Sequence, residues 1–199
     1  MRMTDRRFAV FTLCLLAGLA SACGKGPAEE ALKAATAAIE AARPQLETYV
    51  PAEFKQLSDG AAAAKAQFDK GDYKAALQAA QDLLPKTKAA LAAAEQKKQE
   101  LVTAFDHIKG SLPAMVDALT ARANALAAMR RLPNGVDKAA LQNAQAALGT
   151  LANGWAEATA SFDKGEVIQA VNKATQLQSQ VLDLTQALTP PAAAPAKQP

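Results

Sequence analysis

A helical-hairpin pattern occurs twice in this chain, and it constrains the fold more than any other feature of the sequence. The two copies align without gaps after a shift of 94 positions, which carries Phe68 onto Phe162. The same shift superposes identical residues at further positions, Leu57 on Leu151, Gly60 on Gly154, Gly71 on Gly165 and Leu83 on Leu177. Because apolar and glycine positions agree together, the match indicates internal duplication rather than a shared alanine-rich composition.

Apolar residues follow helical spacing through both copies. They recur at alternating steps of three and four, which is the pattern of a helix with one buried face. The chain contains no sustained period-two run of β-branched residues, which would indicate a strand. Since the loops are short, neighbouring helices should be antiparallel. The sequence predicts an all-α fold, either one antiparallel helical bundle or two consecutive helical hairpins with long amphipathic helices.

Glycine and proline residues divide the pattern into six predicted helices. Proline suits the first turn of a helix but disrupts its interior, so Pro27 is expected to begin the first helix, and Pro44 and Pro85 to bend helices. Gly110-Ser111 is expected to end the long third helix. The predicted core is thin because alanine occupies many seam positions, and most of its bulk is assigned to four aromatic residues, Phe54, Phe68, Trp155 and Phe162.

The helices group into two predicted units, residues 28–110 and 111–188. Each unit contains one copy of the hairpin, in which Gly71 or Gly165 ends a helix before a tight turn. Asp72 is expected to cap the helix that follows the first turn. Residues 189–199 are rich in proline and alanine, and they are predicted to form a disordered tail.

The N-terminal segment, residues 1–22, has the pattern of an export signal. Arg2, Arg6 and Arg7 precede an uncharged run of thirteen residues, 8–20. At about 1.5 Å per residue, this run cannot cross a hydrocarbon core about 30 Å thick. We therefore interpret residues 1–22 as a signal peptide that is removed on export.

Cleavage is expected before Cys23, and two outcomes fit the sequence. Ala20-Ser21-Ala22 satisfies the small-x-small cleavage rule, which would release a soluble secreted protein. With Cys23 directly after the cut, the stretch resembles a bacterial lipobox, although Ala20 stands where that motif most often has leucine. The resemblance implies that Cys23 is lipidated and that residues 23–27 form its tether. By resemblance to known sorting rules, Gly24 implies the periplasmic leaflet of the outer membrane.

Charge and cysteine content exclude several classes of function. Removal of residues 1–22 would take three arginines and one aspartate away, so the formal charge would fall from +3 to +1. Such a balance predicts no basic surface for nucleic acid or for anionic lipid. Cys14 would leave with the signal and Cys23 would be acylated, which leaves no thiol for a disulfide, a zinc site or a nucleophile. We expect no cofactor.

The first half of the chain carries a family resemblance. An alanine-rich first helix is followed by Tyr49-Val50-Pro51-Ala52-Glu53-Phe54 and then by Gly71-Asp72-Tyr73 with Ala76 and Ala80. Over residues 28–100 this pattern resembles a domain of unknown function found in small proteobacterial envelope lipoproteins. The resemblance implies a fold and a location but no activity. The turn at Gly71 also looks like that of a tetratricopeptide repeat, but those repeats recur at about 34 residues rather than 94.

Candidate catalytic and metal-binding residues are few. His107 lies beside Asp106 and could act as an oriented base, but the sequence offers no nucleophile elbow and no second histidine. We expect His107 to stabilise the C-terminal end of the third helix. Four carboxylates, Asp69, Asp72, Asp163 and Glu166, lie at the two turns, where capping explains them better than calcium binding. The sequence therefore predicts no catalytic residue and no metal site.

Two aromatic residues, Tyr73 and Trp155, are the candidate partner-binding residues. Both stand at seam positions, where an aromatic side chain belongs either to the core or to an anchor for a partner. Glutamines on the later helices indicate solvated surface.

These observations predict a non-catalytic, membrane-anchored periplasmic lipoprotein that binds an envelope protein or organises the envelope. A second hypothesis is a periplasmic carrier or chaperone that holds a lipid or an exported polypeptide in a groove between helices. Pro44 and Pro85 are the residues that could splay such a groove. An enzyme is the third and least supported hypothesis, and it would depend on His107.

Overall fold

The computed structural model describes residues 5–190, with side chains described from Gly24 onward. Within this range the chain forms five α-helices and no strand, which confirms the predicted all-α class. The helices are α1 (Asp5–Tyr49), α2 (Pro51–Asp69), α3 (Tyr73–Ala127), α4 (Lys138–Asp163) and α5 (Val167–Ala187). Most of the predicted tail, residues 191–199, lies outside the described residues, as does the Cys23 side chain.

The described chain divides into two compact units between Lys97 and Lys98. The first unit contains α1, α2 and the beginning of α3, and the second contains the remainder of α3 with α4 and α5. Each unit has its own buried apolar cluster. The division falls inside α3 rather than at the predicted boundary after residue 110, because α3 contributes residues to both cores.

The prediction that Gly110-Ser111 ends a helix is wrong, and the described chain therefore has five helices instead of six. α3 continues through both residues to Ala127. Ser111 donates a hydrogen bond from Oγ to the carbonyl oxygen of His107, 3.1 Å away, which is a bond formed within a continuous helix. Ile108 and Leu112 are buried on either side. Their burial offsets the cost of a helical glycine, which is about 1 kcal/mol.

The predicted helix start at Pro27 is also wrong. Residues 24–26, expected to form a tether, lie inside α1, which continues through Pro27 and Pro44 to Tyr49. Ala28 is fully buried, so packing against the rest of the first unit holds this part of α1 in place. Pro44 does not end the helix, and its carbonyl oxygen accepts a hydrogen bond from Thr48 Oγ1 at 2.7 Å.

The two predicted turns are present and have nearly identical backbones. Gly71 and Gly165 have φ values of 85° and 83°, in the left-handed region that favours glycine. At the first turn, the Asp72 N–H donates to the Gln67 carbonyl at 3.0 Å, and at the second the Glu166 N–H donates to the Ser161 carbonyl at 2.9 Å. These are the hydrogen bonds that close a helix C-terminus before a left-handed glycine. The repeat therefore extends to individual hydrogen bonds.

Both cores follow the predicted seams, but the predicted source of aromatic bulk is incomplete because it omits Phe105. Phe54, Phe68, Trp155 and Phe162 are only partly buried. Phe105 on α3 is the largest fully buried side chain of the described residues. Phe105 is buried by its contact with α4. The position of Phe105 in the α3 seam does not by itself predict that contact.

Replacing Gly165 with alanine is expected to lower the free energy of unfolding by about 1 kcal/mol, because an L side chain is strained at a φ of 83°. Gly149 in α4 provides the matched control, since a Cβ at either glycine would meet nothing within 4 Å. Gly149→Ala should stabilise the protein by up to about 1 kcal/mol through helix propensity. Urea denaturation followed by circular dichroism measures both changes in the free energy of unfolding. A change of the same sign in both variants would contradict the left-handed conformation of Gly165.

Candidate functional site

An aromatic stack anchors the candidate site in the second unit. The Phe105 ring on α3 is fully buried and stacks on two rings of α4. Its centroid lies 5.6 Å from that of Trp155, at an interplanar angle of 14°. The Phe162 centroid is 4.2 Å away, at 6°. Trp155 and Phe162 are seven residues apart, two helical turns along one face. The stack therefore fixes the orientation of the partly exposed indole.

A small cleft of about 240 Å³ opens beside Trp155. Its walls come from α3 and α4, and its lining residues are Leu112, Pro113, Val116, Asp117, Leu151, Ala152 and Trp155. Asp117 is the single charged residue in this lining, and its side chain makes no ion pair with any described residue. Small-molecule sites usually measure about 300–1,000 Å³, so this cleft suits one partner side chain better than a cofactor.

Tyr73, the other predicted partner-binding residue, lies in the first unit. It begins α3, is partly buried, and contacts Phe68 edge-on with ring centroids 5.2 Å apart. A Cβ on Gly24 would lie 3.5 Å from Tyr73 Cβ, so α1 packs beside this residue at the point where its described side chains begin. Tyr73 and Trp155 therefore belong to different units.

Two clefts that the sequence analysis did not predict lie at equivalent places in the two units. The first, of about 380 Å³, lies at Gly60 and Leu83, and the second, of about 350 Å³, at Gly154 and Leu177. In each unit a Cβ on the glycine would lie 2.9 Å from the leucine Cδ2. The signal for these clefts was present in the sequence as a Gly–Leu pair repeated 94 residues later, but helix spacing does not reveal concave surface.

The two clefts differ in polarity. Apart from Gly60, the first is lined by Leu57, Leu83 and three alanines, with Glu53, Gln56 and Lys86 as its polar residues. The second is lined mainly by polar side chains, including Asn153, Gln176 and Gln180, and by Glu157 and Lys173, which form an ion pair across it. The copies have therefore kept a common framework while their surfaces have diverged.

Most of the glutamines predicted as solvated surface are exposed, as expected.

His107 does not occupy the predicted position near a helix end, because α3 continues for twenty residues beyond it. Both His107 and Asp106 are exposed, and neither side chain makes a hydrogen bond or ion pair with any described residue. Neither residue lines one of the clefts described above. The structure thus brings no catalytic partner to this histidine.

The carboxylates at the turns fall into two groups. Asp72 caps α3 by accepting a hydrogen bond from the Ala75 N–H at 3.1 Å, which confirms the predicted cap, and Asp69 pairs with Lys65 at 2.8 Å. Glu166 makes no side-chain cap at the start of α5, so capping does not explain that residue. Among the described residues no cluster of histidine, cysteine or acidic side chains could hold a metal ion.

One ion-pair group lies on the surface of the first unit. Arg43 contacts Glu40 and Glu47 and places its guanidinium carbon 4.9 Å from the centre of the Phe54 ring. The hydrogen bond from Arg43 lowers the pKa of the Glu40 carboxyl. About half of each charged side chain is exposed, so solvent screens these ion pairs and they contribute little to stability.

No protein-family model, curated protein or solved structure matches this chain. The resemblance to envelope lipoproteins therefore stays a prediction. In the part of the chain that the structure describes, no helix has the length and apolar character needed to cross a membrane.

Replacing Phe105 with alanine should lower the free energy of unfolding by about 3–5 kcal/mol, because it removes a fully buried ring and two stacking contacts. Phe54→Ala provides the control, since Phe54 is only partly buried, and it should cost clearly less. Chemical denaturation monitored by circular dichroism gives both values. Equal losses would show that Phe105 is not the main packing residue among these aromatics.

Proposed function

We propose that this chain is a non-catalytic lipoprotein, anchored in a bacterial envelope membrane through acyl chains on Cys23, whose second unit binds an envelope protein at the Trp155 cleft. The observation that carries the binding role is this cleft, which combines a fixed indole, an apolar floor and one carboxylate without an ion-pair partner. The anchoring role is supported by the lipobox resemblance at Cys23.

The cleft has the properties of an interface hot spot. Tryptophan is enriched at such positions because a large ring can be buried at little cost in conformational entropy. Here the stack on Phe105 restricts the indole before any partner arrives, which reduces that cost further. Asp117 at the edge of the cleft favours a partner side chain that carries a hydrogen-bond donor or a positive charge.

Membrane attachment would follow from the number of acyl chains. Each buried CH₂ contributes about 0.8 kcal/mol, so one chain binds a membrane marginally whereas several chains anchor a protein stably. Cys23 follows the predicted signal segment directly, where a lipobox cysteine would carry both a diacylglycerol thioether and an acylated N-terminus. A non-catalytic role agrees with the exposed, unpartnered position of His107.

The first-unit cleft supports the carrier hypothesis as a second candidate. Its volume of about 380 Å³ lies within the usual range of ligand sites, and most of its lining residues are apolar. Native mass spectrometry of the purified mature protein would detect a bound lipid. Loss of that lipid in Ala93→Glu, but not in the equivalent second-unit variant Ala187→Glu, would favour the carrier over the adaptor.

Replacing Cys23 with alanine is expected to move the protein out of the detergent-extractable membrane fraction, because no side chain remains to be acylated. Fractionation of cells expressing each form measures this shift, and intact mass determines whether the wild-type protein carries acyl groups. An unmodified, soluble wild-type protein that begins at Cys23 would instead support the secreted alternative.

Site-specific crosslinking tests the proposed partner site. A photoreactive residue at Ala152, which lines the cleft, should capture one recurring envelope protein, whereas the same residue at Ala146, exposed on α4 outside the cleft, should not. Trp155→Ala should weaken the interaction by about 2 kcal/mol or more if the indole is a hot spot. Equal capture from both positions, or capture unaffected by Trp155→Ala, would contradict binding at this cleft.

A further inference from the structure

The folded body of the first unit begins immediately after the proposed lipidation site. Gly24 follows Cys23 directly, and a Cβ on Gly24 would lie 3.5 Å from Tyr73 Cβ. Ala28, one helical turn later, is fully buried. The chain therefore provides no flexible spacer between the proposed acyl chains and the packed helices, and the distance between them is set by the fold.

The same contact identifies which end of the unit adjoins Cys23. α1 and α2 pack together and are joined at Val50, so they run in opposite directions. The beginning of the packed part of α1 therefore lies beside the end of α2. The Gly24–Tyr73 contact places it at the turn between α2 and α3. This turn, residues 68–74, is the end of the unit nearest to the proposed anchor, and we refer to it as the anchor-side turn.

The anchor-side turn has the chemistry of a surface that meets phospholipid headgroups. Phe68 and Tyr73 form an edge-on aromatic pair, and tyrosine is enriched where proteins meet the boundary between water and membrane. Lys70 and Lys74 on the turn, and Lys25 beside Gly24, are exposed and have no acidic partner among the described residues.

The two acidic residues of the turn bind groups within the first unit, and they balance the charges of Lys70 and Lys74 in the sum over residues 68–74. Asp69 is paired with Lys65, and Asp72 accepts the N-cap hydrogen bond of α3. Lys25, Lys70 and Lys74 are exposed and make no ion pair with a described residue, so their ammonium groups are available to lipid phosphates, although the balanced charge of the chain predicted no basic surface for lipid. Lysines near an anionic bilayer surface are attracted to it.

The second copy of the hairpin keeps only part of this chemistry. Val167 and Ile168 replace Tyr73 and Lys74, so the equivalent turn has neither the tyrosine nor the second lysine. Lys164 corresponds to Lys70 and has the same backbone conformation, with φ and ψ of −79° and −5° against −78° and −6°. The two turns therefore differ in surface chemistry on almost identical frameworks.

We propose that the anchor-side turn lies against the phospholipid headgroups of the membrane that holds the acyl chains of Cys23, with Tyr73 at the interface and Lys25, Lys70 and Lys74 facing anionic lipids. This inference rests on the proposed lipid anchor, and it assigns Tyr73 to the membrane rather than to a protein partner. The first unit is then held at the bilayer surface in one orientation.

Fluorophores at matched positions test the proposal. The variants Lys70→Cys and Lys164→Cys, made in the mature acylated protein, are labelled with an environment-sensitive dye and reconstituted into vesicles of phosphatidylethanolamine and phosphatidylglycerol. Quencher-bearing lipids should quench the dye at position 70 and shift its emission to the blue, while the dye at position 164 keeps its aqueous emission. Both lysines are exposed C-cap residues, so neither substitution should disturb folding.

The outcomes separate this inference from the anchor on which it rests. Acylated protein in which the dye at position 70 is unquenched, or quenched no more than at position 164, would overturn the membrane-facing turn while leaving the anchor intact. Intact mass of the same preparation reports acylation independently. Absence of acyl groups on Cys23 would overturn both the anchor and the orientation derived from it.

Discussion

A leucine lies against a glycine of the neighbouring helix at the same place in both units, and this contact is the packing feature that the two units share. Leu83 covers Gly60 in the first unit, and Leu177 covers Gly154 in the second, each so closely that a Cβ on the glycine would require the leucine side chain to shift. With glycine at this point, two helices pack closely around cores that contain few large residues. Half of the buried cluster of the first unit is alanine, so small side chains and close packing replace bulk.

The second unit adds an aromatic stack to the same framework. Phe105 contributes the buried ring, and Trp155 lies over it with one part still exposed. The first unit has no equivalent of this stack in α2, because Ala61 stands where the second copy has Trp155. The two units therefore differ in surface chemistry, with a stacked, partly exposed indole in the second and an aromatic turn with exposed lysines beside the proposed anchor in the first.

These two surfaces divide the proposed function between the units. Packing of α1 from Gly24 onward leaves no spacer after Cys23, so in the proposed lipoprotein the position of the first unit is determined by the anchor. The Trp155 cleft belongs to the second unit and is built from α3 and α4. Attachment and recognition would thus depend on different residues, which allows each to be altered separately.

The sequence by itself determined the features that depend on local physics. Helical periodicity identified the all-α class, and Gly71 and Gly165 marked both turns, where the structure has a positive φ. Local signals wrongly predicted a helix end at Gly110, where burial of Ile108 and Leu112 keeps α3 helical. The predicted position of His107 near that helix end was wrong for the same reason. Only the tertiary structure decided that Phe105 is buried while Trp155 borders a cleft, and that Gly24 lies beside Tyr73. Periodicity specifies which face of a helix is apolar, whereas the depth of burial and the shape of a cleft depend on distances between residues far apart in the chain.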